Sequence, residues 1–299
     1  MSLTFECSWI LIFLGILLAI WRVRARSKDP YGLFHLALNA PKKTEWLNMG
    51  YWRDTKSFPE AAEALARKTV AATHLSDGAS VLGKSGHFHC HPWQTLWADV
   101  GHGTGESLLL LLADRRIGRL TGITSLPLHH TRSKQRVNIY QQSHDDTTPV
   151  ALFQGDAVFR GTGRHPLSPS NPNYYDAILA LDCAYHFDTR RAFLEQSFAK
   201  LAPGGRVALA DVCVAQPATR LSLRSRFLPP HNAWTVGEYH RQLAAIGFTD
   251  IVIEDITEHV FPGFAKFLKS QNWGWWLFGT TIEWFGGRFI IASGQKLKQ

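Results

Sequence analysis

The chain has 299 residues, 45% of them hydrophobic and 19% charged, enough for one large or two small globular domains. Its 32 lysines and arginines outnumber 24 acids to give a net charge of +8, but they are dispersed, which argues against a nucleic-acid surface. Cys7, Cys90, Cys183 and Cys213 have neither paired nor metal-ligand spacing, so no disulfide framework and no metal site are expected, and the thiols are read as reduced.

The first element is an apolar run from Cys7 to Trp21, reaching Leu3 if Glu6 lies at an interface, followed by Arg22, Arg24, Arg26 and Lys28. As a helix it would span roughly 28 Å at 1.5 Å per residue, just enough to cross a bilayer. The acidic start and the large residues at its end do not suit a cleaved secretory signal. The run is therefore expected to be an uncleaved single-pass anchor, with Trp9 and Trp21 near the interfaces and the arginines holding the body on the cytoplasmic face of a membrane such as the endoplasmic reticulum. A helix packed on the domain is the other reading. Domain boundaries follow: anchor and basic flank over 1–28, linker and cap helices over 29–80, and the main domain over 81–299.

Apolar residues at helical spacing predict a helix from Pro59 to His74. Before it, Asn48-Met49-Gly50-Tyr51-Trp52 sets two rings beside a glycine, either as a hydrophobic plug or as aromatic faces over a cation. From Val81 onward strands and helices alternate, which predicts a parallel sheet covered on both faces. The stretch Lys84–Gln94, with His87, His89 and His91, is read as a surface loop.

Thr95 to Val100 reads as a buried strand ending in Asp99, and Gly101, Gly103 and Gly105 follow at alternate positions. Such a turn lets backbone lie against a nucleoside ligand. In a dinucleotide fingerprint the next position is Gly or Ala, whereas here it is Glu106, which would repel a pyrophosphate. Asp99 instead suits a ligand bearing a cation. A helix from Glu106 to Asp114 comes next, then strands at Arg119–Ser125, Val150–Phe153, Tyr175–Asp182 and Gly205–Asp211, a helix over Thr235–Phe248, and strands over Asp250–Ile256 and Arg288–Lys296. Asp188 to Arg191 is expected to open a helix after the fourth strand. Between the last two strands lies an aromatic insertion, about 257–286, carrying nine Phe and Trp residues, read either as a helical cap with its own core or as a surface for a membrane or a lipophilic molecule.

In these ordered motifs residues 46–295 resemble the class I S-adenosylmethionine-dependent methyltransferases. Within them the chain is most similar to the branch holding tocopherol, ubiquinone-type and cyclopropane-lipid methyltransferases, through Asn48–Trp52 and Thr121–Ser125. The resemblance implies an α/β, Rossmann-like sheet of seven mostly parallel strands with the last antiparallel, and S-adenosyl-L-methionine as cofactor. It implies cofactor contacts at Tyr51, Trp52, Asp99, Gly101, Gly103, Gly105, Thr124, Ser125, Asp156, Ala157 and Asp182. Thr124 and Ser125 stand where most of the wider family places a ribose-binding acid. Methyl transfer needs a nucleophile held in line and water kept out. For a hydroxyl acceptor a base helps, and His186, with Tyr185 beside it, is the candidate; the alternative is that both only shape the pocket. The expected partner is a small lipophilic acceptor, with oxygen, nitrogen and carbon all open, and the oligomeric state is left open. Two other functions remain in view, a membrane-bound cofactor-binding protein without catalysis and a nucleotide-dependent reductase on a related fold, the latter disfavoured by Glu106.

Overall fold

The computed structural model describes residues 33–41, 43–74, 95–113, 117–161, 163–217 and 228–298. The apolar run and its basic flank, the start of the expected alternation at Val81 and the histidine-rich loop lie outside the described residues. Among the described residues no helix is long and apolar enough to cross a membrane. The chain divides into a unit over Met1–Leu38, of which only part of a short 3-10 helix, Leu33–Asn39, is described, and a unit over Asn39–Gln299 that holds everything discussed below.

Seven strands form one sheet: β1 (Thr95–Val100), β2 (Ile117–Thr124), β3 (Val150–Gln154), β4 (Tyr175–Leu181), β5 (Leu201–Cys213), β6 (Thr249–Asp255) and β7 (Arg288–Gln295). Their order is β3-β2-β1-β4-β5-β7-β6, with β1 to β5 parallel and β7 antiparallel to both neighbours, as the sequence resemblance implied. The central strands are buried nearly throughout, which is why they read as unbroken apolar runs rather than as alternating ones. Seven helices accompany them among the described residues: α1 (Phe58–Ala71), α2 (Glu106–Ala113), α3 (Pro127–His144), α4 (Arg190–Lys200), α5 (Val236–Ile246), α6 (Thr257–Lys269) and α7 (Trp273–Phe285).

Two apolar clusters form the core. One gathers Leu108, Leu111 and Leu120 with Val137 of α3, and the other gathers Val100, Ile178 and Leu209 with Phe193 of α4 and Tyr239 and Leu243 of α5. The helix α3 carries no clear apolar stripe and buries only His129, Ser133 and Val137, so periodicity gives no hint of it. By contrast α5 declares both ends: Thr235 and Glu238 make a reciprocal capping box, and Gly247 closes the helix at φ +111°. The strand expected from Gly205 begins earlier, at Leu201, and carries an irregularity. Tyr175 pairs with Leu201 but Ala177 with Arg206, so residues 202–205 loop out of register, with Gly204 at φ +83°.

Successive strands run outward from β1 to β3, and the chain then returns to place β4 on the other side of β1. That reversal opens a crevice past the carboxyl ends of β1 and β4, where open α/β sheets bind ligands.

Candidate active site

The turn leaving β1 sits on one lip of the crevice. Gly101, Gly103 and Gly105 adopt φ of +83°, +55° and +95°, a region costly for other L-residues, and Gly101 N–H is tied to the Ile123 carbonyl at 2.8 Å. A Cβ at Gly101 would stand 2.5 Å from Cys183 Sγ, at Gly103 2.8 Å from Leu47, and at Gly105 2.9 Å from Ser133. Three neighbours thus close on a backbone without side chains. Asp99, beneath the turn, is buried with both carboxylate oxygens unpartnered, and burial pushes its pKa up to about 6; Ser107, close by but outside hydrogen-bond geometry, pulls the other way.

The other lip is the end of β4. Asp182 takes φ +54°, a conformation Asp tolerates better than most residues, and its N–H is fixed on the Ala210 carbonyl at 2.8 Å. Its Oδ2 accepts from Met49 N–H at 2.7 Å, while Oδ1 is buried without a partner, and burial lifts its pKa to about 8. The following single turn, Ala184–His186, leaves His186 exposed with its ring 4.1 Å from that of buried Tyr185.

A strap of residues 43–52 ties the two lips together. Thr104 donates to the Glu45 carbonyl at 2.7 Å, Glu45 N–H donates to Glu106 at 2.6 Å, and Arg132 and Arg136 bind the two carboxylates. The sequence argument that Glu106 faces the ligand and would repel a pyrophosphate is therefore corrected. Its carboxylate is neutralised by Arg136, thirty residues on, and anchors the strap. Further along, Trp52 is packed among Phe58, Phe264 and Phe267, with ring centroids 5.2–6.4 Å apart, and its Nε1 donates to the Met49 carbonyl. Tyr51 meets His259 edge-on at 5.2 Å.

Of the remaining expected residues, Thr124 is buried at the end of β2 and its carbonyl accepts from Gly155 N–H at 3.0 Å, while Ser125 beside it is exposed. Asp156 is exposed and uses Oδ1 to accept from Val158 N–H at 2.8 Å, with Ala157 buried between them. A cleft of about 310 Å³ opens there, lined by Gly155, Asp156, Val158, Arg160, Arg164 and Asp188. A larger hollow of about 550 Å³, lined by Phe261, Lys266 and Ile282 among others, contains none of the expected site residues.

These lips fit a nucleoside ligand with a cationic amino-acid end. Buried Asp99 and half-buried Asp182 have carboxylate oxygens that are buried without partners, and a glycine cradle stands between them. Residues 95–253, just over half of the chain, match the family model described as a methyltransferase domain. The chain belongs to the class I S-adenosylmethionine-dependent methyltransferases. This methyltransferase is 25% identical to erythromycin 3''-O-methyltransferase of Saccharopolyspora erythraea over 258 residues, 81% of the chain and 75% of the relative. Among solved structures it is similar in fold to the cyclopropane synthase MmaA2 of Mycobacterium tuberculosis (TM-score 0.63, 14% identity, 91% and 95% of the two chains covered). It also resembles geranyl diphosphate C-methyltransferase of Streptomyces coelicolor bound to S-adenosyl-L-homocysteine (0.56, 16%, 81% and 81%). Its cofactor is S-adenosylmethionine.

Sequence reasoning missed five residues around the candidate site. Glu45, Arg132 and Arg136 form the strap's ion pairs across gaps of up to 91 residues. His102, inside the glycine motif itself, is buried with neither ring nitrogen partnered, and burial lowers its pKa to about 3. Arg190 was expected only as a first-turn charge. Thr189 does cap α4, accepting from Ala192 N–H at 3.1 Å, but Arg190 is fully buried, with Nε 2.9 Å from Asp211 Oδ2 and Nη2 donating to the Val212 carbonyl. No spacing in the sequence signals any of these pairings.

Proposed function

We propose that the enzyme methylates a hydroxyl group of a small lipophilic acceptor, with His186 removing the hydroxyl proton. The observation that carries this reading is the exposed imidazole on the turn directly after Asp182, at the crevice where the sheet reverses. Support comes from the relative named for O-methylation, which aligns with 81% of the chain. When bound, S-adenosylmethionine supplies a methyl group already electrophilic on its sulfonium.

The chain's own residues have the remaining tasks. Asp99 and Asp182 offer negative charge to the ligand's cationic end, and Gly101, Gly103 and Gly105 let the backbone approach it. Thr124 and Ser125 hydrogen-bond the ribose, and Asp156 and Ala157 border the adenine. Tyr51 and Trp52 act through the strap, Tyr51 beside the mouth and Trp52 as the anchor that seats it. Tyr185 orients the acceptor, and the strap excludes water from the transfer. Positioning of this kind accounts for most of the acceleration that methyl transfer requires. The apolar run of residues 7–21 anchors the protein, its basic flank holding the catalytic unit on the cytoplasmic face.

Incubation with methyl-labelled S-adenosylmethionine and a lipid extract of the source cells should label a component on oxygen. His186→Ala should slow that transfer by about 10²–10⁴-fold while leaving the affinity for S-adenosylhomocysteine unchanged. Label found only on nitrogen or carbon, or wild-type turnover in His186→Ala, would overturn the reading.

A further inference from the structure

The turn that carries Tyr185 and His186 is too short to hold itself. It has two internal backbone bonds, His186 N–H to the Cys183 carbonyl at 3.0 Å and Phe187 N–H to the Ala184 carbonyl at 3.1 Å. A single turn fixes many dihedrals for few bonds and is unstable alone. Its rigidity must come from outside.

One buried side chain supplies it. Asn232, on the short turn Pro230–Asn232, is fully buried, and its Nδ2 donates to the Tyr185 carbonyl at 3.0 Å and to the Phe187 carbonyl at 2.6 Å. Its Oδ1 accepts from Arg190 N–H at 2.9 Å. A carboxamide has two donor hydrogens and an acceptor oxygen. Both hydrogens and the oxygen are committed to backbone within residues 185–190, on both sides of His186.

The base from which Asn232 reaches is itself fixed. Its carbonyl accepts from Trp234 N–H at 2.9 Å, and the Trp234 carbonyl accepts from Val214 N–H at 2.9 Å, just past the end of β5. Arg190, whose N–H Asn232 holds, sets its guanidinium against both the Trp234 and Tyr239 rings, 5.0 and 5.1 Å from their centroids, and meets Asp211 of β5. Tyr239 donates to the same Asp211 at 3.0 Å. The candidate transfer turn is thus bolted to the sheet through buried polar groups: the Asn232 carboxamide is fully committed, and Arg190 holds Asp211 by charge, its Nη1 making no hydrogen bond among the described residues.

We propose that Asn232 is a positioning residue for methyl transfer, holding the backbone on either side of His186 so that Tyr185 and His186 keep one geometry at the mouth. This rests on the assignment of those two residues to the mouth. Misplacing a reacting group by about 1 Å can slow a reaction a hundredfold. The effect falls on turnover and not on cofactor affinity, because the glycine cradle and Asp99 lie on the opposite lip and Asp182, on the same lip, is held by its own bonds to Met49 and Ala210 and not by Asn232.

The test compares Asn232→Ala and Asn232→Asp with wild type, using methyl-tritiated S-adenosylmethionine and the lipid extract, with turnover counted per S-adenosylhomocysteine-binding site. Counting per binding site removes any loss of folded protein. Asn232→Asp keeps the shape and the acceptor for Arg190 N–H and loses at least one of the two donors, and counting per binding site reads whichever fraction of each variant folds. Turnover per site should fall at least tenfold in each, with the Kd for S-adenosylhomocysteine and the KM for S-adenosylmethionine within threefold of wild type. Wild-type turnover per site, or affinity lost in step with turnover, overturns the proposal. If His186→Ala and Tyr185→Phe both turn over normally, the mouth itself is wrongly assigned. If they are slow while both Asn232 variants are normal, only the positioning role fails.

Discussion

A carboxylate without a partner and out of contact with water keeps its proton longer than one in solution, so the charge of Asp99 depends on pH and on what is bound. Its folded pKa of about 6 lies above the ordinary 3.8, so the stability associated with its protonated form is complete below about pH 4 and is lost as pH rises through 6. Asp182, at about 8, acts in the same direction over a wider range. His102 acts oppositely: held neutral with a pKa near 3, it contributes stability above 6.5 that fades as the medium is acidified. Asp99→Asn removes the first of these effects. The variant should be more stable than wild type at pH 8 without ligand, by on the order of 2 kcal/mol, and equal to it near pH 4. It should also bind S-adenosylhomocysteine at least tenfold more weakly. Denaturation at the two pH values and calorimetric titration check both halves, and unchanged affinity would remove Asp99 from the cofactor site.

Among the elements, α6 has the clearest mechanical task. Gly263 lies where a Cβ would stand 2.3 Å from Trp52 Cβ and 2.4 Å from its Cγ, so this glycine is what lets the strap's tryptophan lie against the helix beside Phe264 and Phe267. Gly263→Ala should destabilise the protein by about 1–3 kcal/mol through overpacking, despite alanine's better helix propensity. Urea denaturation measures this, and a stabilised variant would show that Trp52 is seated elsewhere. Its neighbour α7 divides its aromatic residues differently. Ile282 is buried, whereas Trp273, Trp276 and Trp284 are exposed. The sequence density of aromatic residues could not distinguish these faces, because the partners of α6 lie some two hundred residues earlier, at Trp52 and Phe58.

For the molecule as a whole, the fold was legible because its information is local. Apolar runs, a capping box and glycine turns each announce themselves within a dozen residues, and their order along the chain selects the sheet. The helix α3 escaped, being polar around almost its whole circumference, and α6 and α7 were foreseen only as one of two readings of the aromatic insertion. The site was half legible. Its acids and glycines sit at strand ends that the motifs locate, but Asn232, Arg190 and the Glu45–Arg132–Arg136 ion pairs depend on partners far off in sequence, where no periodicity links them. Glu106 shows the limit well: its charge was readable and its target was not. The N-terminal run belongs to the same scale. If it anchors the enzyme, the full chain should remain in the membrane pellet after carbonate extraction, whereas a chain lacking residues 1–28 should pass into the supernatant; equal partitioning of both would remove the anchor.

The strap has a consequence in time. Its bonds to Glu106 and Asp182 close over separations of 61 and 133 residues, so the mouth cannot form until β4 has been made. At ribosomal speeds of 5–20 residues per second, that is a delay on the order of ten seconds after residue 49 is synthesised. Through that interval Trp46, Leu47 and Met49 form an apolar stretch deprived of its later partners. During synthesis the residues that close the mouth are the ones most in need of shelter from water.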